Sequence, residues 1–287
     1  MIKILDGKTI AQKINAKIKA QVAIITNRKP KLAVIIVGED LASQTYVRNK
    51  IKACQECDID GQVFSLAATI TEKEVINKIE QLNNDNSIDG ILVQLPLPKH
   101  LNSLAVINSI VINKDVDGLT NINAGRLLQG DKQAMLPCTV KGILALLNYY
   151  QIPIVSQNIT IINDSNIVGK PLGLLLTNMG ATVSVVHKLT KNLAFYTKEA
   201  DIICSATGVY NIINNKQVKP GVIIIDVAIN YQGKEKKVVG DIDFATMKNT
   251  AAAITPVPGG VGPMTIAMLL ENLMACYQLN IKKNIKK

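Results

Sequence analysis

The chain has 287 residues, a formal charge of +10, five cysteines, 48% apolar and 3% aromatic residues, and no Trp. That length suits two domains, each burying its own core, and an odd, scattered set of cysteines does not make a disulfide framework. The scarcity of aromatics leaves few stacking platforms for bases, so the basic charge alone does not make a nucleic-acid binder.

Residues 8–26 place Ile10, Ile14, Ile18 and Val22 at helical spacing, and Lys31-Leu32-Ala33-Val34-Ile35-Ile36-Val37 reads as a buried strand. A helix near 42–57, a strand near 62–66, a helix over 72–84 capped by Thr71 and the strand Gly90–Leu95 follow. Strands separated by helices predict parallel βαβ units. After residue 120 comes a second series: a helix near 139–149, strand 159–162, a helix after Gly169, and strands 182–186, 201–205 and 222–226. This half reads as doubly wound. A last apolar helix, about 265–279, follows a Pro/Gly-rich loop and is placed against the first half. The expected division is 1–119 and 120–287. The basic tail, Lys282-Lys283 and Lys286-Lys287, reads as a fraying end. Apolar runs are too short to cross a bilayer, and Met1–Asp6 lacks a signal-peptide pattern, so the expectation is a cytoplasmic protein without a membrane partner.

In open parallel sheets, ligands bind beyond the carboxyl ends of strands, where loops converge. After Val37 a helix opens that puts Tyr46 and Lys50 four residues apart on one face. By spacing alone, an amphipathic helix with a solvated lysine is the commoner reading. Gln94 stands at a strand end before Pro96 and Pro98, and Lys114-Asp115-Val116-Asp117-Gly118 is by itself a turn. Cys54 and Cys57 form a C-x-x-C pair inside a helical pattern, read as packing residues. His100 and His187 lack partners at metal-ligand spacing, so no metal site and no Ser-His-Asp triad is expected.

In the second half, strand 159–162 runs into Asn163-Asp164-Ser165-Asn166-Ile167-Val168-Gly169-Lys170-Pro171, where a dinucleotide pyrophosphate would sit, although the loop is not G-x-G-x-x-G. Lys188, where NAD-specific folds carry an acid, leans toward the 2′-phosphate of NADP. Thr255–Thr265 holds three glycines and three prolines between Pro256 and Pro263, which suits either a rigid ligand loop or a structural hinge.

Five motifs in this order resemble the bifunctional methylenetetrahydrofolate dehydrogenase/cyclohydrolase family over nearly the whole chain. They are Tyr46-Val47-x-x-Lys50, Gly90–Pro98, Lys114–Gly118, Pro137-Cys138-Thr139 and Pro258–Thr265. The resemblance implies an N-terminal parallel-sheet α/β folate domain, a C-terminal Rossmann-like domain and a cleft between them. It also implies a homodimer and a place in one-carbon metabolism. It makes Lys50 the central catalytic residue, Tyr46 and Gln94 its positioning partners, and Asp117 a hydrogen-bond partner of the pterin. Ser43, Leu95, Pro96, Gly259, Gly260 and Pro263 complete the implied folate set. Asn163, Asp164, Ser165, Val168, Gly169, Pro171, Lys188, Ala206, Thr207, Gly208 and Ile229 form the implied cofactor set.

The implied activity is oxidation of 5,10-methylenetetrahydrofolate with NADP, NAD being the alternative cofactor, and then hydrolysis to 10-formyltetrahydrofolate with Lys50 accepting the water's proton. The chain departs from the family pattern at several positions. Asn163-Asp164-Ser165 stands where Gly-Arg-Ser is usual, Leu41 and Val140 stand for Pro, and Ala228 stands for Gly. An acid at 164 opposes a 2′-phosphate that Lys188 attracts. A cyclohydrolase with a weak or NAD-preferring dehydrogenase is therefore the first rival reading, and a basic nucleic-acid binder on a Rossmann-like scaffold is the second. A two-domain oxidoreductase acting on a shikimate- or amino-acid-like substrate is a third.

Overall fold

The computed structural model describes residues 2–232 and 237–285. In chain order the elements begin β1 (Lys3–Ile4), α1 (Gly7–Ala23), β2 (Lys31–Val37), α2 (Leu41–Glu56), β3 (Asp60–Leu66), α3 (Glu72–Asn84), β4 (Gly90–Val93), α4 (Ser103–Asn108) and α5 (Asn121–Leu128). They continue with α6 (Cys138–Tyr149), β5 (Asn158–Ile162), α7 (Gly169–Asn178), β6 (Thr182–Val186), α8 (Leu193–Thr197), β7 (Ile202–Ser205), β8 (Ile223–Asp226), β9 (Asn230–Gln232) and β10 (Lys237–Val239). The last are α9 (Phe244–Met247), β11 (Ala253–Ile254) and α10 (Val261–Ile285). Among the described residues no helix is long and apolar enough to cross a membrane.

Two compact units emerge, each built from three stretches of chain. One holds Gln12–Arg126, Lys132–Cys138 and Ile266–Lys287; the other holds Met1–Ala11, Leu127–Asp131 and Thr139–Thr265. Whereas the sequence reading divides the chain once, after residue 119, its ends exchange places for identifiable reasons. β1 extends the later sheet by parallel pairing with β11. In the other direction, α10 sends Asn272 to Val116 O at 2.9 Å, Tyr277 to Arg28 O at 2.9 Å and Asn280 to Asp89 O at 3.2 Å.

The first unit is built on a parallel sheet ordered β3-β2-β4. β2 is central and almost wholly buried, which is why its sequence is continuously apolar rather than alternating. Ala33, Ile35, Ile79, Ile91 and Val106 share one core with their neighbours. α3 starts at a capping box in which Thr71 and Glu74 exchange bonds. It ends on Lys114, whose buried ammonium donates to the carbonyls of Leu82, Asn83 and Asp85, each at 2.8 Å. Those are carbonyls a helix terminus leaves unsatisfied, and a cation there also complements the helix dipole.

The second unit carries a sheet ordered β1-β11-β8-β7-β5-β6, parallel throughout, and a separate β9–β10 pair. β5 lies between β6 and β7, so successive crossovers leave it in opposite directions and make the switch point of a doubly wound sheet. All five cysteines are buried and none is in a disulfide, Cys54 lying within α2 and Cys57 at its C-terminal end. Burial pushes the thiols of Cys54 and Cys204 up to about 12.

Several elements depart from the sequence reading. The strand expected to reach Leu95 ends at Val93: Gln94 N still donates to Ile35 O at 2.8 Å, but Pro96, two residues on, has no N–H with which to continue the ladder. α10 begins inside the Pro/Gly loop, at Val261, and helical backbone continues through Lys282 and Lys283 to Ile285. Lys286 and Lys287 lie outside the described residues.

Candidate functional site

Of the folate-side residues implied by the motifs, those of the first unit lie at the carboxyl end of the three-stranded sheet. Asp40 caps α2 by accepting from Ser43 N at 2.7 Å, which fixes where the helix begins. From that start Ser43, Tyr46 and Lys50 fall on one side of α2: Ser43 is buried, Tyr46 and Lys50 half-buried. Gln94 leaves β4 with its N–H held by Ile35 O at 2.8 Å, and its side chain is oriented at both ends. Lys50 Nζ donates to Gln94 Oε1 at 3.0 Å, while Gln94 Nε2 donates to Leu95 O at 2.7 Å. The amide can therefore point only its oxygen at the amine. Leu95 is half-buried and joined to exposed Pro96 by a cis peptide bond.

The motif Lys114–Gly118 separates into distinct jobs. Lys114 closes α3, as described. Asp115 bridges to Ile91 beside β4 and accepts from Leu119 N, Thr120 N and Asn123 Nδ2, anchoring the entry to α5. Val116 accepts from Asn272 and from the Cys138 thiol. Gly118 has φ +67, and a Cβ there would sit 2.4 Å from Met135 O, so the turn demands glycine. These four fix the backbone, and Asp117 differs from them in its electrostatics. Burial raises its carboxyl pKa, opposed by the positive charge of Lys50 and by hydrogen bonds from Cys138. Lys50, Gln94 and Asp117 are thus one electrostatic cluster, and Tyr46 stands one helical turn from Lys50.

Gly259, Gly260 and Pro263 belong to the other unit. Gly259 adopts φ +112 and its carbonyl accepts from Lys8 N at 2.9 Å. A Cβ on Gly260 would lie 2.7 Å from Pro256 O, and one on Gly7 would lie 1.9 Å from Gly260 O. Close backbone packing within that unit accounts for these glycines without a ligand. Pro263 lies in the first turn of α10, where a missing N–H costs no helical bond.

The cofactor-side residues lie at the carboxyl ends of the doubly wound sheet. Asn163, at the end of β5, donates to Ala206 O at 2.6 Å and accepts from Ser165 N at 2.7 Å. Ser165 Oγ accepts from Val168 N and Gly169 N, closing the turn into α7. A Cβ on Gly169 would come 1.9 Å from Asn163 O, so this turn is tight enough to exclude any side chain; Pro171 follows, buried. Asp164 and Lys188 are both exposed, each two residues beyond the paired Ile162 and Val186 of adjacent strands. Thr207 and exposed Gly208, with φ +72, follow β7, and half-buried Ile229 follows β8 beside buried Ala228. Loops of this kind around the β5 switch point suit a dinucleotide. Sequence reasoning missed Asp241, which is fully buried and accepts from Ser205, Thr207, Val209 and Asn230. Its signal was faint: an acid after Gly240 among apolar neighbours. Among the described residues no three His, Cys, Asp or Glu side chains are grouped to hold a metal.

A parallel-sheet unit bearing a Lys–Gln–Asp cluster, together with a doubly wound unit of the dinucleotide-binding kind, defines a two-domain α/β enzyme. Residues 5–117 match the catalytic-domain model of tetrahydrofolate dehydrogenase/cyclohydrolase, and residues 137–281 match the NAD(P)-binding-domain model. The chain belongs to this family. It is 49% identical over 284 residues to the bifunctional protein FolD of Mycoplasma mycoides subsp. mycoides SC, covering 98% of each chain. The crystal structure of the bifunctional FolD enzyme from Campylobacter jejuni superposes with a TM-score of 0.94 at 46% identity, covering 97% of this chain and 100% of that one. FolD of Trypanosoma brucei, solved with NADP cofactor and inhibitor, gives 0.94 at 33% identity, covering 98% of each.

Proposed function

We propose that the chain oxidises 5,10-methylenetetrahydrofolate to 5,10-methenyltetrahydrofolate with NADP and hydrolyses the product to 10-formyltetrahydrofolate. The observation that carries this reading is the Lys50–Gln94 hydrogen bond with Asp117 in electrostatic reach.

A bound nicotinamide would supply a hydride acceptor for the methylene carbon, and the protein's contribution is to position substrate and cofactor. The loops of Asn163–Ser165, Val168–Pro171, Ala206–Gly208, Lys188 and Ile229 would hold the dinucleotide. In hydrolysis, water's oxygen bonds to the methenyl carbon while one proton passes to Lys50 in its neutral form; the C–N5 bond then breaks as the carbonyl forms, and N5 takes up the remaining hydroxyl proton. Gln94 aims the amine, Tyr46 packs beside it as orienting partner, and Asp117 hydrogen-bonds the pterin. Ser43, Leu95 and Pro96 shape the folate side.

The exposed carboxylate of Asp164 favours a second reading of the oxidation step, in which NAD is used as well as or better than NADP. Reduced-cofactor formation from methylenetetrahydrofolate, run with NADP and NAD in parallel, tests both readings. Turnover with NADP supports the first, preference for NAD the second, and turnover with neither overturns the dehydrogenase half. The family likeness further suggests a cytoplasmic homodimer, which light scattering of the purified protein would test.

A further inference from the structure

The loop that follows β7 is held in place before any ligand arrives, and its holder is a residue outside the expected cofactor set. Asp241 Oδ2 accepts from Ser205 Oγ at 2.7 Å, Thr207 N at 2.7 Å and Thr207 Oγ1 at 2.8 Å. Its Oδ1 accepts from Val209 N at 3.0 Å and Asn230 Nδ2 at 3.1 Å. On the other side Asn163 donates to Ala206 O. Within Ala206–Val209, the N–H groups of Thr207 and Val209 thus end on Asp241 and the carbonyl of Ala206 on Asn163, while Ala206 N donates to Ile162 O at 3.2 Å and Val209 N also to Thr207 Oγ1 at 3.1 Å.

Asp241 is itself immobilised. Its N–H and that of Ile242 donate to the two oxygens of Asp226, at 3.1 and 3.0 Å, and its carbonyl accepts from Ile212 N at 2.9 Å. Gly240 precedes it because a Cβ there would meet Asp226 Oδ2 at 1.9 Å. A fully buried carboxylate that gathers five donors around one strand end, two of them N–H groups of a single loop, does more than fill a core: it sets that loop's shape.

We propose that Asp241 is a positioning residue for the dinucleotide, acting through the Ala206–Val209 loop and not by contact with the folate. The proposal rests on the reading of this unit as the cofactor side. Its logic is that a carboxylate presents acceptors only, whereas an amide of the same shape must turn a donor toward N–H groups. Asp241→Asn should therefore misplace the loop even where the fold survives.

The test is fluorescence titration of the full chain with NADP, alongside steady-state kinetics of both reactions. Asp241→Asn is expected to raise the Kd and KM for NADP by roughly tenfold or more, with cyclohydrolase kcat/KM on preformed methenyltetrahydrofolate unchanged. Ser205→Ala, which removes a side-chain donor and spares the loop N–H groups, should leave NADP affinity within about twofold. Unchanged NADP affinity in a folded Asp241→Asn protein overturns the proposal. So does parallel loss of both activities, which marks a merely structural role, or failure to fold combined with weakened NADP binding by Ser205→Ala. If the unmodified chain binds neither NADP nor NAD, the cofactor reading of this unit falls as well.

Discussion

Lys50 Nζ lies 3.0 Å from Gln94 Oε1, across an interval of 44 residues. An amine on α2 and an amide at the end of β4 meet because β2 and β4 are adjacent parallel strands whose exits face the same way. If Lys50 takes the proton from water, Lys50→Met removes the acceptor and keeps the apolar stem. Cyclohydrolase activity should fall by about 10²–10⁴-fold. Decay of methenyltetrahydrofolate absorbance measures it, with circular dichroism reporting the fold. Retained hydrolysis would remove Lys50 from its role.

Lys114 should matter for stability rather than for chemistry. Replacing it with Met leaves three carbonyls at the end of α3 without their donor, a loss of about 2–4 kcal/mol for bonds to a charged group. Urea unfolding should show the loss, and the folded fraction should keep its specific activity. A variant as stable as the parent would mean that water replaces the ammonium without cost.

The exposed charges at 164 and 188 should act oppositely on cofactor choice. Lys188→Ala is expected to raise the KM for NADP by about threefold to fivefold, the scale of an exposed ion pair, and to leave NAD nearly unaffected. Asp164→Asn should lower the NADP value. Both effects should shrink at high salt. Equal shifts for the two cofactors would show that neither side chain senses the 2′-phosphate.

Asp226 supplies a pH dependence of stability. Burial raises its pKa to about 7, although hydrogen bonds from Asp241, Ile242 and Ala228 oppose the rise. The folded protein therefore holds a proton that the unfolded chain releases near pH 3.8. The stabilisation is fully present below that value and is lost as pH rises through about 7. Asp226→Asn should remove this part of the slope, whatever its effect on overall stability. Denaturant midpoints measured over roughly pH 4 to 8 decide it; an unchanged slope would mean that other groups carry the dependence.

How far the sequence discloses this molecule depends on the length scale involved. β2 and β5 are buried apolar runs, and α3 announces itself through Thr71 and Glu74, so periodicity and capping reveal them. β1 and β11 have two residues each and exist only through parallel pairing, which no local pattern encodes. At the site, the spacing of Tyr46 and Lys50 was visible, but the meeting with Gln94 followed from family likeness, since spacing alone favoured a solvated lysine. The motif Lys114–Gly118 stands out as a unit in the sequence, yet only the fold separates the helix-closing lysine and the anchoring Asp115 from Asp117. Asp241 is not legible in the sequence because its importance lies in donors contributed by Ser205, Thr207, Val209 and Asn230, 11 to 36 residues away in the chain.

The concealment of every sulfhydryl turns the fold into its own gauge. Thiolate is the form that alkylating reagents attack, and here Cys54 and Cys204 must be uncovered before they can ionise at ordinary pH. Labelling of the intact protein should then proceed only as fast as each segment opens. Peptide mapping of Cys54 against Cys204 would time the breathing of the two units separately, without any engineered probe.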